Sequence, residues 1–264
     1  MIAQPTFFQW TDVKAADLRV AMSTDKNGKP QLRMTLGPDN LKVAFVTCPC
    51  VTQWPRCSGD GNYGTLWGPS EISKARYTLD LTDLRINGNV NAEFDKLAAL
   101  FDAIDDKLLD FVHNDQVRIL GRKSLSREEV KMLQIRTVKA KYDRDTGAHL
   151  GYSINLNMPK FQSDGMGGKY ERKVNVCDHT GKPIAKGVVC PGDVVAATIS
   201  IGTVYTGVSG DKFGLSWHFH DVAVICQRTK MLGVQTQVAA FQSLPQYDFA
   251  MEYDEPEEGF SNVV

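Results

Sequence analysis

The chain has 264 residues, 42% hydrophobic and 23% charged, with a mean hydropathy of -0.26 and a formal net charge of -1. That is the composition of a globular protein long enough to bury a core. No apolar run approaches the roughly 18–20 residues needed to cross a bilayer as a helix. The opening MIAQPTFFQW lacks a basic, apolar, small-residue leader pattern, so work inside a cell is expected. Six cysteines (Cys48, Cys50, Cys57, Cys177, Cys190 and Cys226) are too sparse for a disulfide scaffold and are read as reduced thiols.

In chain order, LRVAMST, QLRMTLG and KVAFVTC have strand character, and the Asn-Gly in DKNGKP predicts a turn between the first two. Pro49 to Pro69 is rich in Gly, Pro and aromatics and reads as a long exposed loop, after which ARYTLDLTDLRI resumes as strand. Over residues 91–113 the period changes. Phe94, Leu97, Ala98, Phe101, Ile104, Leu108, Phe111 and Val112 recur at three and four, the apolar stripe of a packed amphipathic helix. SREEVKMLQI begins with a Ser-x-x-Glu capping box and predicts a second helix over about 126–135. QIRTVKAKYD, YSINLNMP, YERKVNVCD, DVVAATISIGTVYTG and FGLSWHFHDVAVICQ then read as strands, separated by Gly-containing turns, which suggests a barrel or sandwich.

Charge is distributed unevenly. No Lys or Arg follows Lys230, whereas six acids do, at Asp248, Glu252, Asp254, Glu255, Glu257 and Glu258, so the first 230 residues carry a net +5. The sequence therefore divides into one domain over 1–230 and an acidic tail over 231–264 that is expected to be disordered, with Pro245 and Pro256 discouraging regular structure. A basic body of this kind suits a polyanionic partner.

No phosphate-loop, nucleophile-elbow or His-Glu-x-x-His motif is present, and the acid pairs Asp105-Asp106 and Glu128-Glu129 fall on helix faces expected to be solvated, so no catalytic residue is assigned. Cys48, Cys50 and Cys57 form a loose three-thiolate set for zinc but lack paired Cys-x-x-Cys knuckles, and His218 with His220 has no third ligand. The expectation is no cofactor, with zinc as the exception to test. Cations interleaved with aromatics are the pattern of a single-strand binder, in which bases stack and phosphates are neutralised. The candidates are Trp54, Arg56 and Trp67 in the loop; Lys74, Arg76 and Tyr77; Arg136, Lys139, Lys141 and Tyr142; Tyr152; Lys169, Tyr170, Arg172 and Lys173; and Trp217 with His218. Along SWHFHD one pair of alternating side chains must face the core and the other outward.

LFDAIDDKLLDFV for the helix, YSINLNMP for the following strand, GKPI for a turn and KFGLSWHFHDVAVI for the last core strand, in a pattern spanning about residues 28–228, resemble the single-stranded DNA-binding proteins of large DNA viruses and phages. The resemblance implies a mainly β (α+β) chain: an OB-fold-type β-barrel with extra N-terminal strands and inserted helices. It further implies sequence-independent, cooperative coating of exposed strands in replication, recombination or repair, with no enzymatic activity. In such proteins an acidic tail ending near an aromatic competes for the DNA groove and then docks on replication or recombination proteins. Here Asp254, Glu255, Glu257, Glu258 and Phe260 would carry that role. Self-association is compatible with this reading. A viral structural or assembly β-protein and a metal-dependent enzyme are the alternatives.

Overall fold

The computed structural model describes residues 7–24, 30–52, 76–83, 92–122, 124–142, 145–147, 149–159, 161–163, 168–171, 174–184, 189–190, 192–206 and 212–226. These residues are mainly β with a few helices. In chain order the strands are β1 (Phe8–Gln9), β2 (Leu18–Thr24), β3 (Pro30–Leu36), β4 (Leu41–Lys42), β5 (Ala44–Val46), β6 (Cys50–Thr52) and β7 (Arg76–Thr82). Three helices follow, α1 (Ala92–Asn114), α2 (Gln116–Leu120) and α3 (Arg127–Leu133). Then come β8 (Gln134–Ile135), β9 (Val138–Tyr142), β10 (His149–Pro159), β11 (Phe161–Ser163), β12 (Lys169–Glu171), β13 (Asn175–Asp178), β14 (Val194–Thr206) and β15 (Phe213–Cys226).

The antiparallel pair β14–β15 is the spine. β14 is buried continuously from Val194 to Ile201 because it pairs with β15 on one edge and with β5 and β6 on the other. Three register shifts along the pair, one of them between Ala197 and Ile199, bend it, as an extra residue in one strand does. Buried Thr198 and Asp221 satisfy each other across this bend: the Thr198 hydroxyl donates to Asp221 Oδ2 at 2.9 Å and accepts from the Asp221 N–H at 2.9 Å. The sheet continues from β6 through β7 and β10 to β9, while β13 and β8 lie parallel to opposite ends of β15.

The expected barrel is corrected here. Among the described residues no ladder joins β10 to β15, and the ladders form an open sheet. β9 covers β10 only as far as Ile154; beyond it Asn157 Nδ2 reaches Ser216 Oγ on β15 at 3.4 Å, so side chains bridge where backbone pairing would close a barrel.

α1 packs on the core face of this sheet. Its buried stripe is Phe94, Leu97, Ala98, Phe101, Ile104, Leu108, Leu109 and Val112, with Phe111 half-buried, and Phe101 meets Trp217 edge to face at 4.8 Å with Phe45 alongside. α3 starts at the capping box read from sequence: the Glu129 N–H donates to Ser126 Oγ and the Ser126 N–H to Glu129 Oε2. It stops two residues early, because Gln134 and Ile135 turn into β8. α2, unanticipated, ends on Gly121 at φ +66°, a left-handed position that favours glycine.

The expected exposed loop also begins later than Pro49, since Cys50 and Thr52 are buried in β6. A second sheet, β2–β3–β4, lays Leu18, Leu32, Met34 and Leu36 into the same core. No described helix is long and apolar enough to cross a membrane.

Candidate nucleic-acid interface

The hairpin β9–β10 reaches past the edge of the core. Val138 opposes Ile154 and both pack inward; one step on, Ala140 opposes Tyr152, and further out Tyr142 opposes His149. The apolar face thus continues into solvent as an aromatic run: Tyr142 is 62% exposed, Tyr152 40%, and His149 is exposed between them. The ring centroids lie 5.5 Å apart for Tyr142–His149 and 4.8 Å for His149–Tyr152.

Strand alternation alone would put residues 149 and 152 on opposite faces. A bulge between His149 and Gly151 adds one residue on β10, and Gly151 takes φ +124° there, which brings His149 onto the tyrosine face. This histidine was missed in the sequence because nothing local marks the bulge.

The opposite face of the hairpin carries Lys139 and Lys141. Lys139 is exposed. Lys141 Nζ lies 3.8 Å from Asp80 Oδ2 on the neighbouring β7. Burial raises the Asp80 carboxyl above its ordinary range, and the charges of Lys141 and then Lys139 oppose that rise. Asp80 Oδ1 is buried without a hydrogen-bond partner among the described residues. Exposed Asn155, with half-buried Asn157 and the half-buried Ser216 it contacts, extends this polar face toward β15, where His218 and His220 point outward. The His218 ring lies directly over Gly202: a Cβ there would come within 2.3 Å of its Cε1. His220 contacts Ser200 Oγ at 2.8 Å and Phe7 edge to face at 5.5 Å.

Two candidates are corrected. Trp217 is 2% exposed, packs on Phe45 and Phe101, and donates its indole N–H to Thr137 Oγ1 at 3.0 Å; it is a core residue. Arg136 is committed to α1, with contacts of 2.8 Å to Asp102, 2.6 Å to Asp106 and 3.8 Å to Asp105, so its guanidinium is already neutralised. Asp105 is correspondingly not a solvated helix acid. It is fully buried, and accepts from the Thr137 N–H at 2.7 Å and hydroxyl at 3.0 Å.

Arg76, Tyr77, Lys169 and Tyr170 sit on β7 and β12, their side chains outside the described set. Trp54, Arg56, Trp67, Lys74, Arg172, Lys173, Cys57 and the tail residues Asp254, Glu255, Glu257, Glu258 and Phe260 lie outside the described residues.

The thiols suit zinc poorly. Cys48 and Cys50 are buried with their sulfurs 3.8 Å apart, and Cys50 donates to the Cys48 carbonyl. Burial, then the neighbouring Cys48, pushes the Cys50 thiol well up, away from the thiolate a metal needs. Among the described residues no group of three His, Cys, Asp or Glu side chains could hold a metal.

Burial raises Asp105 to about 6, against the Thr137 hydrogen bonds and Arg136. A carboxyl whose folded value is raised stabilises the fold when protonated and loses that contribution as pH rises through the folded value. Stability is therefore expected to increase by about 1 kcal/mol from about pH 8 to about pH 5. Urea unfolding across that range checks this, and Asp105→Asn should flatten the slope.

No family model and no curated protein matches the sequence. Among solved structures, gp2.5, a single-stranded DNA binding protein encoded by bacteriophage T7, is 10% identical with a TM-score of 0.48 over 70% of this chain and 87% of that one. The single-stranded DNA-binding protein from bacteriophage Enc34 in complex with ssDNA is 10% identical with a TM-score of 0.38, covering 69% and 85%. Its C-terminal truncation is 10% identical with a TM-score of 0.40, covering 78% and 95%. Likeness at this level assigns no family.

Proposed function

We propose that the protein binds single-stranded DNA with little regard to sequence. The observation that carries this reading is the exposed run Tyr142–His149–Tyr152 on one face of a hairpin whose other face bears Lys139 and Lys141. Three rings held outside the core offer stacking surfaces to unpaired bases, each base worth about 1–3 kcal/mol, while exposed Lys139 is placed to neutralise phosphate. A duplex hides its base faces and cannot use such a run. The open β-sheet, bent along β14–β15, suits an OB-type scaffold for the hairpin.

In this reading the protein is a binding protein and not an enzyme, needs no cofactor, and protects exposed strands during replication, recombination or repair inside a cell, at a viral or phage replication site. The acidic tail competes weakly for the cationic surface; once displaced, it offers Asp254, Glu255, Glu257, Glu258 and Phe260 to replication or recombination proteins.

Anisotropy titrations with oligo-dT, RNA of equal length and duplex test this. Binding to oligo-dT should weaken steeply with salt and exceed duplex binding; absence of binding at low salt, or preference for duplex, contradicts the reading. Truncation after Tyr247 should tighten binding if the tail competes, and identical isotherms would leave it a solubilising end.

A further inference from the structure

The three-stranded sheet β2–β3–β4 turns a cationic outer face to solvent. Its strands, LRVAMST, PQLRMTL and LK, contain Arg19, Arg33 and Lys42 and no acid. Alternation sends Leu18, Leu32, Met34 and Leu36 into the core, with Val20 and Met22 packed against it, and turns Arg19, Ala21, Ser23, Gln31 and Arg33 outward, all exposed.

The register sets the cations on one surface. Arg19 opposes Thr35, Thr35 opposes Lys42, and Ala21 opposes Arg33. Strands about 4.8 Å apart, rising about 3.4 Å per residue, put the three Cα atoms within roughly 8–10 Å of one another or a little more. Neither Arg19 nor Arg33 has an ion-pair partner among the described residues. Arg136, at the foot of β9, is by contrast closed off by three aspartates. Asp17 and Asp39 border the sheet in its end turns and lie outside the ladder. No aromatic stands on this face, so it has nothing to stack on a base. It suits a chain of phosphates.

We propose that the outer face of β2–β3–β4 is a second nucleic-acid contact, in which Arg19, Arg33 and Lys42 hold the phosphate backbone of a single strand. The proposal rests on the single-strand reading and adds a track that positions the strand without reading or stacking its bases.

The test compares wild type, Arg19→Gln/Arg33→Gln/Lys42→Gln and a control, Lys96→Ala/Lys107→Ala/Lys131→Ala, which removes the same charge from helix surfaces. Each is titrated with oligo-dT of about 30 nucleotides at several salt concentrations, after thermal unfolding confirms the fold. Each phosphate contact contributes about 0.7 to the slope of log affinity against log salt. The sheet variant should lose about 2 from that slope and bind at least roughly tenfold more weakly at low salt, with the control close to wild type. Equal slopes for wild type and sheet variant overturn the proposal while leaving single-strand binding intact, as does an equal loss in the control, which would mark a net-charge effect. If wild type itself fails to bind, the underlying reading has failed instead. A sheet variant that fails to unfold like wild type is replaced by the single variants Arg19→Gln and Arg33→Gln, each expected to lose about 0.7 of slope.

Discussion

Replacing Asp105 by alanine is expected to destabilise the protein by roughly 3 kcal/mol near neutral pH. Asp105 is fully buried on α1, and its carboxylate is the acceptor for both the backbone N–H and the hydroxyl of Thr137. Thr137 in turn accepts from the Trp217 indole, and Gln134 donates to the Asp105 carbonyl at 2.7 Å. These bonds tie α1 to the β8–β9 connection and to β15. Alanine would strand the Thr137 N–H in a dry site, a costly loss because that group cannot reach water, and would also remove one of the three acids facing the partly exposed Arg136. Asparagine keeps the volume and one acceptor, so Asp105→Asn should cost less than half as much. Equilibrium urea unfolding gives both values. A change under about 1 kcal/mol for alanine would mean that the network contributes little.

The second large effect is on binding. Tyr142→Ala/Tyr152→Ala should weaken affinity for oligo-dT roughly 30-fold or more, since each lost stacking partner costs about 1–3 kcal/mol and 1.4 kcal/mol is tenfold. Both rings are exposed, so the unfolding midpoint should move little, which separates this from a folding defect. Phenylalanine at both positions keeps the stacking faces and should restore most of the affinity. Trp217→Ala is the contrast. It empties the space between Phe45 and Phe101 and should act through stability, by about 3–5 kcal/mol.

Elements with a strong local period were readable from the chain. α1 follows the 3–4 stripe from Phe94 to Val112, the Ser126–Glu129 capping box starts α3, and β10, β14 and β15 fall on the long β-rich runs. Features set by distant contacts were not. QIRTVKAKYD reads as one strand, yet it breaks at Arg136 and Thr137 because both are bound by acids on α1, some thirty residues away. β6 forms inside a Gly- and Pro-rich stretch because β14 and β7 supply its partners. In SWHFHD, alternation showed that one pair of rings is buried; Phe45 and Phe101 decide that it is Trp217 and Phe219. Most of the hairpin site was legible, since Lys139, Lys141, Tyr142 and Tyr152 are on the chain as cations beside aromatics. His149 joins them through a bulge that only the pairing of β9 with β10 defines.

Photo-crosslinking can place bound bases on or off the β9–β10 hairpin. An oligo-dT carrying 5-iodo-deoxyuridine couples, on irradiation, to aromatic rings stacked on the halogenated base, and digestion with mass spectrometry locates the bond. Crosslinks are expected at Tyr142, His149 or Tyr152, lost when single-stranded competitor is added and absent with iodinated duplex. Efficient crosslinking confined to other parts of the chain, with none on the β9–β10 hairpin, would contradict it.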